Sequence, residues 1–129
     1  MEDLKGELSQ KKKLNKEYEG ITFKEFKEIH LKELALYREP NTITAHRVAL
    51  DKFNALDDKK LTDITFMDIK NIVNDMLEEG LKVSTIELYL SRLRITLNAA
   101  VDEYKIIPEN PLAGNKISLP RSKEVKKIK

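Results

Sequence analysis

Two stretches of the chain gather side chains suited to holding an anion. In "NTITAHRVAL" these are Thr42, Thr44 and Arg47, beside Asn41; in "LKVSTIELYLSRLR" they are Lys82, Ser84, Thr85, Arg92 and Arg94. Guanidinium forks match phosphate oxygens two at a time, and hydroxyls at a helix start stand among backbone N–H groups that lack a helical partner. Phosphate contact is therefore the chemistry these residue types offer. Proton transfer and nucleophilic attack have no comparable set. There is no cysteine, His30 and His46 are sixteen residues apart, and neither paired carboxylates, a Ser/His arrangement nor a glycine-rich phosphate cradle is present. No catalytic residue, metal ligand or cofactor is expected.

The elements that must carry these residues are helices. Four Gly and four Pro in 129 residues, with 36% charged residues, favour helices over a turn-rich β architecture. The 40% hydrophobic content suffices for one core. Residues 1–20 are polar and lysine-rich, and read as a flexible leader. Thr22 and Glu25 have capping-box spacing, followed by Phe23, Phe26, Ile29, Leu34 and Tyr37 at helical period. That predicts a first helix near 22–38, stopping before Pro40. Asn41 or Thr42 is expected to cap a second near 42–56, with Ile43, His46, Leu50 and Phe53 on one face. Thr65 and Asp68 form a second capping box for a third near 65–79, with Gly80 as its stop. Ser84 and Glu87 suggest a third box, opening the longest helix, near 84–105, which "PENP" ends.

At about 100° per residue, Ile86, Leu90, Leu93, Leu97, Ala100 and Tyr104 share one face of this fourth helix. Leu88, Ile95 and Ala99 lie roughly opposite. A helix apolar on two sides is central in its bundle or uses the second side against a partner. Two polar stripes separate these faces, Glu87, Ser91, Arg94 and Asn98 on one flank and Thr85, Arg92 and Thr96 on the other. The bland readings stand beside the sharp ones: Thr42 and Ser84 cap their helices, His46 is a packed ring, and Tyr89 and Tyr104 belong to the core.

Charge divides the chain further. Residues 116–129 hold six Lys/Arg against Glu124 alone, leaving 18 basic and 21 acidic residues in 1–115. Such a run is either a solvated tail or a linker that tracks a polyanion. The third helix carries Asp68, Asp75, Glu78 and Glu79 against Lys70, whereas residues 82–98 carry Lys82, Arg92 and Arg94 against Glu87. One repels phosphate and the other attracts it.

The order of "TF" on the first helix, "NTITAHRVAL" on the second, "LTDIT" before the third, "STIELYLSRLR" opening the fourth and "NAAVDEYKIIPENP" closing it resembles the core-binding, SAM-like N-terminal domain of tyrosine recombinases, the phage-type integrases. The resemblance implies an all-α, orthogonal four-helix bundle over residues 21–114, and a basic linker over 115–129 leading toward a catalytic domain. It implies one half of a clamp on duplex DNA, used in DNA integration and recombination by a mobile element. The second and fourth helices would lie against the major groove. Its DNA-facing positions fall on Thr42, Thr44, Arg47, Ser84, Thr85, Leu88 and Arg92, with Lys82 and Arg94 nearby. Related domains often carry a longer polar residue where this chain has Ser84 or Leu88, so phosphate contact is expected ahead of base readout.

The family's Arg/Lys/His/Arg/His set and tyrosine nucleophile belong to that separate domain, for which Tyr18, Tyr37, Tyr89 and Tyr104 are no substitute. The chain as given is expected to be non-catalytic. Its partners would be duplex DNA, the parent's catalytic domain and other recombinase protomers, in a bacterial or phage-derived cytoplasmic setting without a membrane. A helical protein-interaction module without DNA affinity is the rival reading. It predicts that Arg47, Arg92 and Arg94 lie on different faces or are paired with carboxylates.

Overall fold

The computed structural model describes residues 14–113 together with 117 and 119, and all statements of absence below concern these. Four α-helices form the fold: α1 Phe23–Leu34, α2 Pro40–Asp51, α3 Phe66–Glu78 and α4 Val83–Asp102. Three single 3-10 turns, Lys16–Tyr18, Asn54–Leu56 and Leu61–Asp63, punctuate the connections. The all-α class is observed; among the described residues the sole extended pairing is an isolated bridge between Thr22 and Lys60.

Two helix starts follow the capping pattern. Thr22 accepts from the Glu25 N–H at 3.3 Å while its own N–H donates to the Glu25 carboxylate at 3.0 Å. Thr65 and Asp68 repeat this at 3.1 and 3.0 Å. The other two starts correct the sequence reading. Neither Asn41 nor Thr42 caps α2: Glu39, extended at ψ 152, precedes Pro40 at the first helical position. The pyrrolidine ring already holds a helical φ, and its missing N–H is one that a helix start leaves unpaired anyway. Likewise Ser84 is not a cap. α3 closes with the Gly80 N–H on the Leu77 carbonyl and the Leu81 N–H on Met76, the Schellman pattern, with Gly80 at φ 92. Leu81 and the extended Lys82 then link the two helices, and α4 begins at Val83 without a side-chain cap.

Helix α4 is the hub. It packs against each of the other three helices, most extensively against α2. Its predicted core face is buried, with Ile86, Leu93, Leu97 and Ala100 fully enclosed among Phe23, Phe26, Leu50, Phe53 and Ile69. On the opposite side Leu88 and Ile95 stay 50% and 46% exposed, while Ala99 is covered. Tyr104 meets Phe26 and Tyr18 in T-shaped contacts at centroid distances of 5.1 and 5.7 Å, and burial raises the pKa of its phenol.

Residues 14–20, part of the expected loose leader, dock on the fold: the Asn15 N–H donates to the Lys105 carbonyl at 2.7 Å, and Tyr18 joins Tyr104. Residues 1–13 lie outside the described residues, as does the basic segment from 115 apart from Ile117 and Leu119, which pack half-buried against the core.

Lys27 was not anticipated. It is 4% exposed on α1, its Nζ lies 3.1 Å from both Asp51 and Asp57, and it sits 5.5 Å from the Phe23 ring centre. A buried ammonium persists when carboxylates surround it, and here they tie α1 to the end of α2 and the loop beyond.

Candidate nucleic-acid interface

Direct packing of α2 on α4 brings part of the predicted set together. Along α4 the flank carrying Thr85, Tyr89, Arg92 and Thr96 turns toward α2: Lys52, which caps the end of α2, places its Nζ 6.0 Å from the Tyr89 ring, and burial, with the charge of Arg92, holds the His46 imidazole below its ordinary pKa. Thr96 is fully buried and donates its hydroxyl to the Arg92 carbonyl at 3.1 Å. Thr85 and Arg92 are half-buried, so their polar ends border the seam. Lys82, Ser84 and Leu88 are exposed at and just beyond the start of α4.

On α2, Thr42 is half-buried, whereas Thr44 is exposed and spends its hydroxyl on the Pro40 carbonyl at 3.1 Å. Arg47 is exposed but engaged: its two terminal nitrogens donate to the Glu28 carboxylate of α1 at 2.8 and 3.0 Å. That fork lowers the pKa of Glu28, first through the hydrogen bonding and then through charge, and raises that of Arg47.

Arg94 does not join this seam. Two positions from Arg92 is roughly 200° around a helix, and Arg94 instead borders the segment after α4. There it lines a cleft of about 310 Å³ with Asn98, Asn110, Leu112 and Ala113. Asn110 donates to the Asn98 side chain at 2.9 Å and to the Arg94 carbonyl at 3.4 Å, which holds the returning chain against α4.

Arg38 escaped the sequence reading, which assigned it to the end of the first helix. That helix ends at Leu34, and residues 35–39 form the connection into α2. Arg38 there borders two grooves, one with Thr44, Arg47, Val48 and Asp51, the other with His30, Ile95 and the acidic Glu33, Asp102 and Glu103. Its position before the Pro of "YREPNT" was the available signal, since the residues preceding Pro leave the helix. His46 is buried, as expected of a packed ring. Neither Arg38 nor Arg92 has a carboxylate within salt-bridge distance among the described residues, in contrast to Lys27, Arg47 and Lys59.

α3 is the acidic element. Asp68 pairs with Lys59 at 3.5 Å, and hydrogen bonding from Thr65 holds its carboxyl below the usual range. Among the described residues no group of three or more His, Asp or Glu side chains is placed to hold a metal, and no helix is long and apolar enough to cross a membrane.

The all-α bundle with α4 at its centre and α2 laid along it defines the class, a small helical domain with a cationic seam. The family model described as the phage integrase SAM-like domain matches residues 22–118, and the chain belongs to that family. This is the SAM-like N-terminal region of integrases, distinct from their catalytic domain. No curated protein and no solved structure matches the chain.

Proposed function

We propose that this domain is the core-binding part of a site-specific tyrosine recombinase and closes half of a clamp on duplex DNA during integration and recombination. The observation that carries the reading is the α2/α4 seam. There Arg92 and Arg38, without carboxylate partners among the described residues, flank the helix that bears Thr42 and Thr44. A cation left unpaired at a helix seam is available to a phosphate, and the Thr42 hydroxyl beside it can position the backbone. Lys82, Ser84, Thr85 and Leu88 extend the same surface along the start of α4, with Arg47 at its margin and Arg94 on the other flank of the helix. Catalysis would be supplied by a separate domain of the parent chain, with which, as with other protomers, residues 115–129 and the bundle would cooperate.

The pairing of Arg47 with Glu28 and the exposure of Leu88 and Ile95 favour the rival reading, a protein-interaction module. A salt series separates the two. Duplex binding by the 129-residue protein should be weak, largely independent of sequence and lost steeply between roughly 50 and 200 mM salt, as counterion release requires. No binding at low salt, or binding indifferent to salt, would sink the clamp.

A further inference from the structure

Helix α4 leaves part of its second apolar side uncovered. Ile95 there is 46% exposed, and with the half-buried Leu34 and the exposed Tyr37 it lines a groove of about 590 Å³ between α4 and the end of α1. The rim of this groove is acidic. Glu33 of α1, and Asp102 and Glu103 at the close of α4, border it against Arg38. Among the described residues none of these three carboxylates has a Lys or Arg within salt-bridge distance, whereas Glu28, Asp51, Asp57 and Asp68 each do. An apolar floor inside a carboxylate rim suits a segment that carries apolar side chains and positive charge together.

The sequence "RSKEVKKIK", residues 121–129, has that composition and lies outside the described residues. Arg121, Lys123, Lys126, Lys127 and Lys129 stand against Glu124 alone, and Val125 and Ile128 have the spacing that places both on one side of a helical turn. The fold delivers the chain nearby. Asn98 lines the groove and also the cleft that it shares with Leu112 and Ala113, and its side chain accepts from Asn110. Ile117 and Leu119 still pack on the core. From Leu119 the chain to Val125 spans up to about 20 Å, against the one helical turn that separates Asn98 from Asp102. We propose that residues 121–129 dock in this groove of their own chain, Val125 and Ile128 against Ile95 and Tyr37, and the basic side chains against Glu33, Asp102 and Glu103. Tethering supplies an effective concentration on the order of mM, so contacts too weak to hold a free peptide suffice, and a second copy offering the same segment competes only at its bulk concentration. The docked cations are also those that a duplex would draw. A bound duplex therefore withdraws the segment from the groove, a consequence that rests on the duplex-binding reading.

The chain has no cysteine, so Ser122→Cys carries a single nitroxide without altering the charge of the segment. In NMR spectra of the isotope-labelled 129-residue protein at low salt, the expected result is loss of amide signal at Glu33, Tyr37, Ile95 and Asn98, with the signals of Asp75 and Glu78 on acidic α3 retained. Asp102→Lys with Glu103→Lys, both exposed, should restore the groove signals. So should Val125→Ser with Ile128→Ser, which leaves every charge in place. Adding a short duplex should restore them as well. Equal loss at α3 and at the groove would mean attraction without a seat and overturn the docking, as would signals that the Val125 and Ile128 variant leaves unrestored. Groove signals lost when a separate, isotopically unlabelled copy carries the nitroxide would assign the groove to a second molecule and overturn docking within the chain. A duplex that binds without restoring the signals overturns the competition for the segment. Absence of duplex binding at low salt overturns the clamp and leaves the docking standing.

Discussion

Arg47 and Glu28 show how one contact changes what a cationic residue offers. Both ends of the pair are about half exposed, 46% and 53%, so its contribution to stability is small, below about 1 kcal/mol. It nevertheless occupies the fork that would meet a phosphate. Glu28→Gln should therefore leave the thermal midpoint nearly unchanged and tighten duplex binding about two- to fivefold, with a steeper salt slope. Weaker binding by this variant would place Arg47 outside the contact surface. Arg92→Ala should instead weaken binding to all sequences and flatten the slope by about one unit, whereas Lys70→Ala on acidic α3 should change neither. His30 belongs to the same scale but concerns folding. Its ring nitrogens are buried without partners, and burial, aided by His46, lowers its pKa from 6.5 to about 4. The unfolded chain then binds the proton more readily than the folded one, so stability is full above about pH 6.5 and declines as pH falls toward 4, by about 3 kcal/mol in all. Chemical denaturation of His30→Leu should show that decline largely removed, with stability at pH 7 equal or slightly higher.

Elements are held by junctions of unequal legibility. The capping boxes at Thr22 and Thr65 were readable because side chain and backbone sit at fixed spacing, and the core face of α4 because burial follows the helical period. The starts of α2 and α4 were misplaced because Pro40 and the Schellman closure at Gly80 each set the boundary ahead of the nearest hydroxyl. At the candidate site, the pairing of Arg47 with Glu28 and the ring contact of His30 with His46 join residues from different helices, which no local spacing encodes. Lys27 was hidden for the same reason, since its carboxylates lie 24 and 30 positions away. Taking away the carboxylates strands a buried ammonium, whereas taking away the ammonium leaves carboxylates that still reach water, 53% and 24% exposed. Lys27→Met should cost less than about 1 kcal/mol by denaturant titration, whereas removing both carboxylates, Asp51→Ala with Asp57→Ala, should cost about 3 kcal/mol. The exit of α4 carries strain of its own: Lys105 adopts φ 54. Lys105→Gly should raise stability by about 0.5 to 1 kcal/mol, the left-handed penalty less the added freedom of the unfolded chain.

Across the whole molecule, the contrast between α3 and the α2/α4 seam turns a net charge of +2 into a molecule with distinguishable sides. Residues 1–115 sum to a negative charge, so an approaching polyanion is accepted on one orientation and discouraged on others. The central position of α4 has a different consequence. Every other helix leans on it; α1 and α2 also pack directly on each other, whereas α3 is held chiefly by α4. A molecule wired this way lacks separable subregions that melt in turn. Amide hydrogens from Leu93 to Ala100 should exchange with deuterium only through global opening, at a common free energy shared with the buried turns of α1 and α2. The domain would then answer any load placed on α4 as a single rigid lever, whichever of its surfaces is gripped.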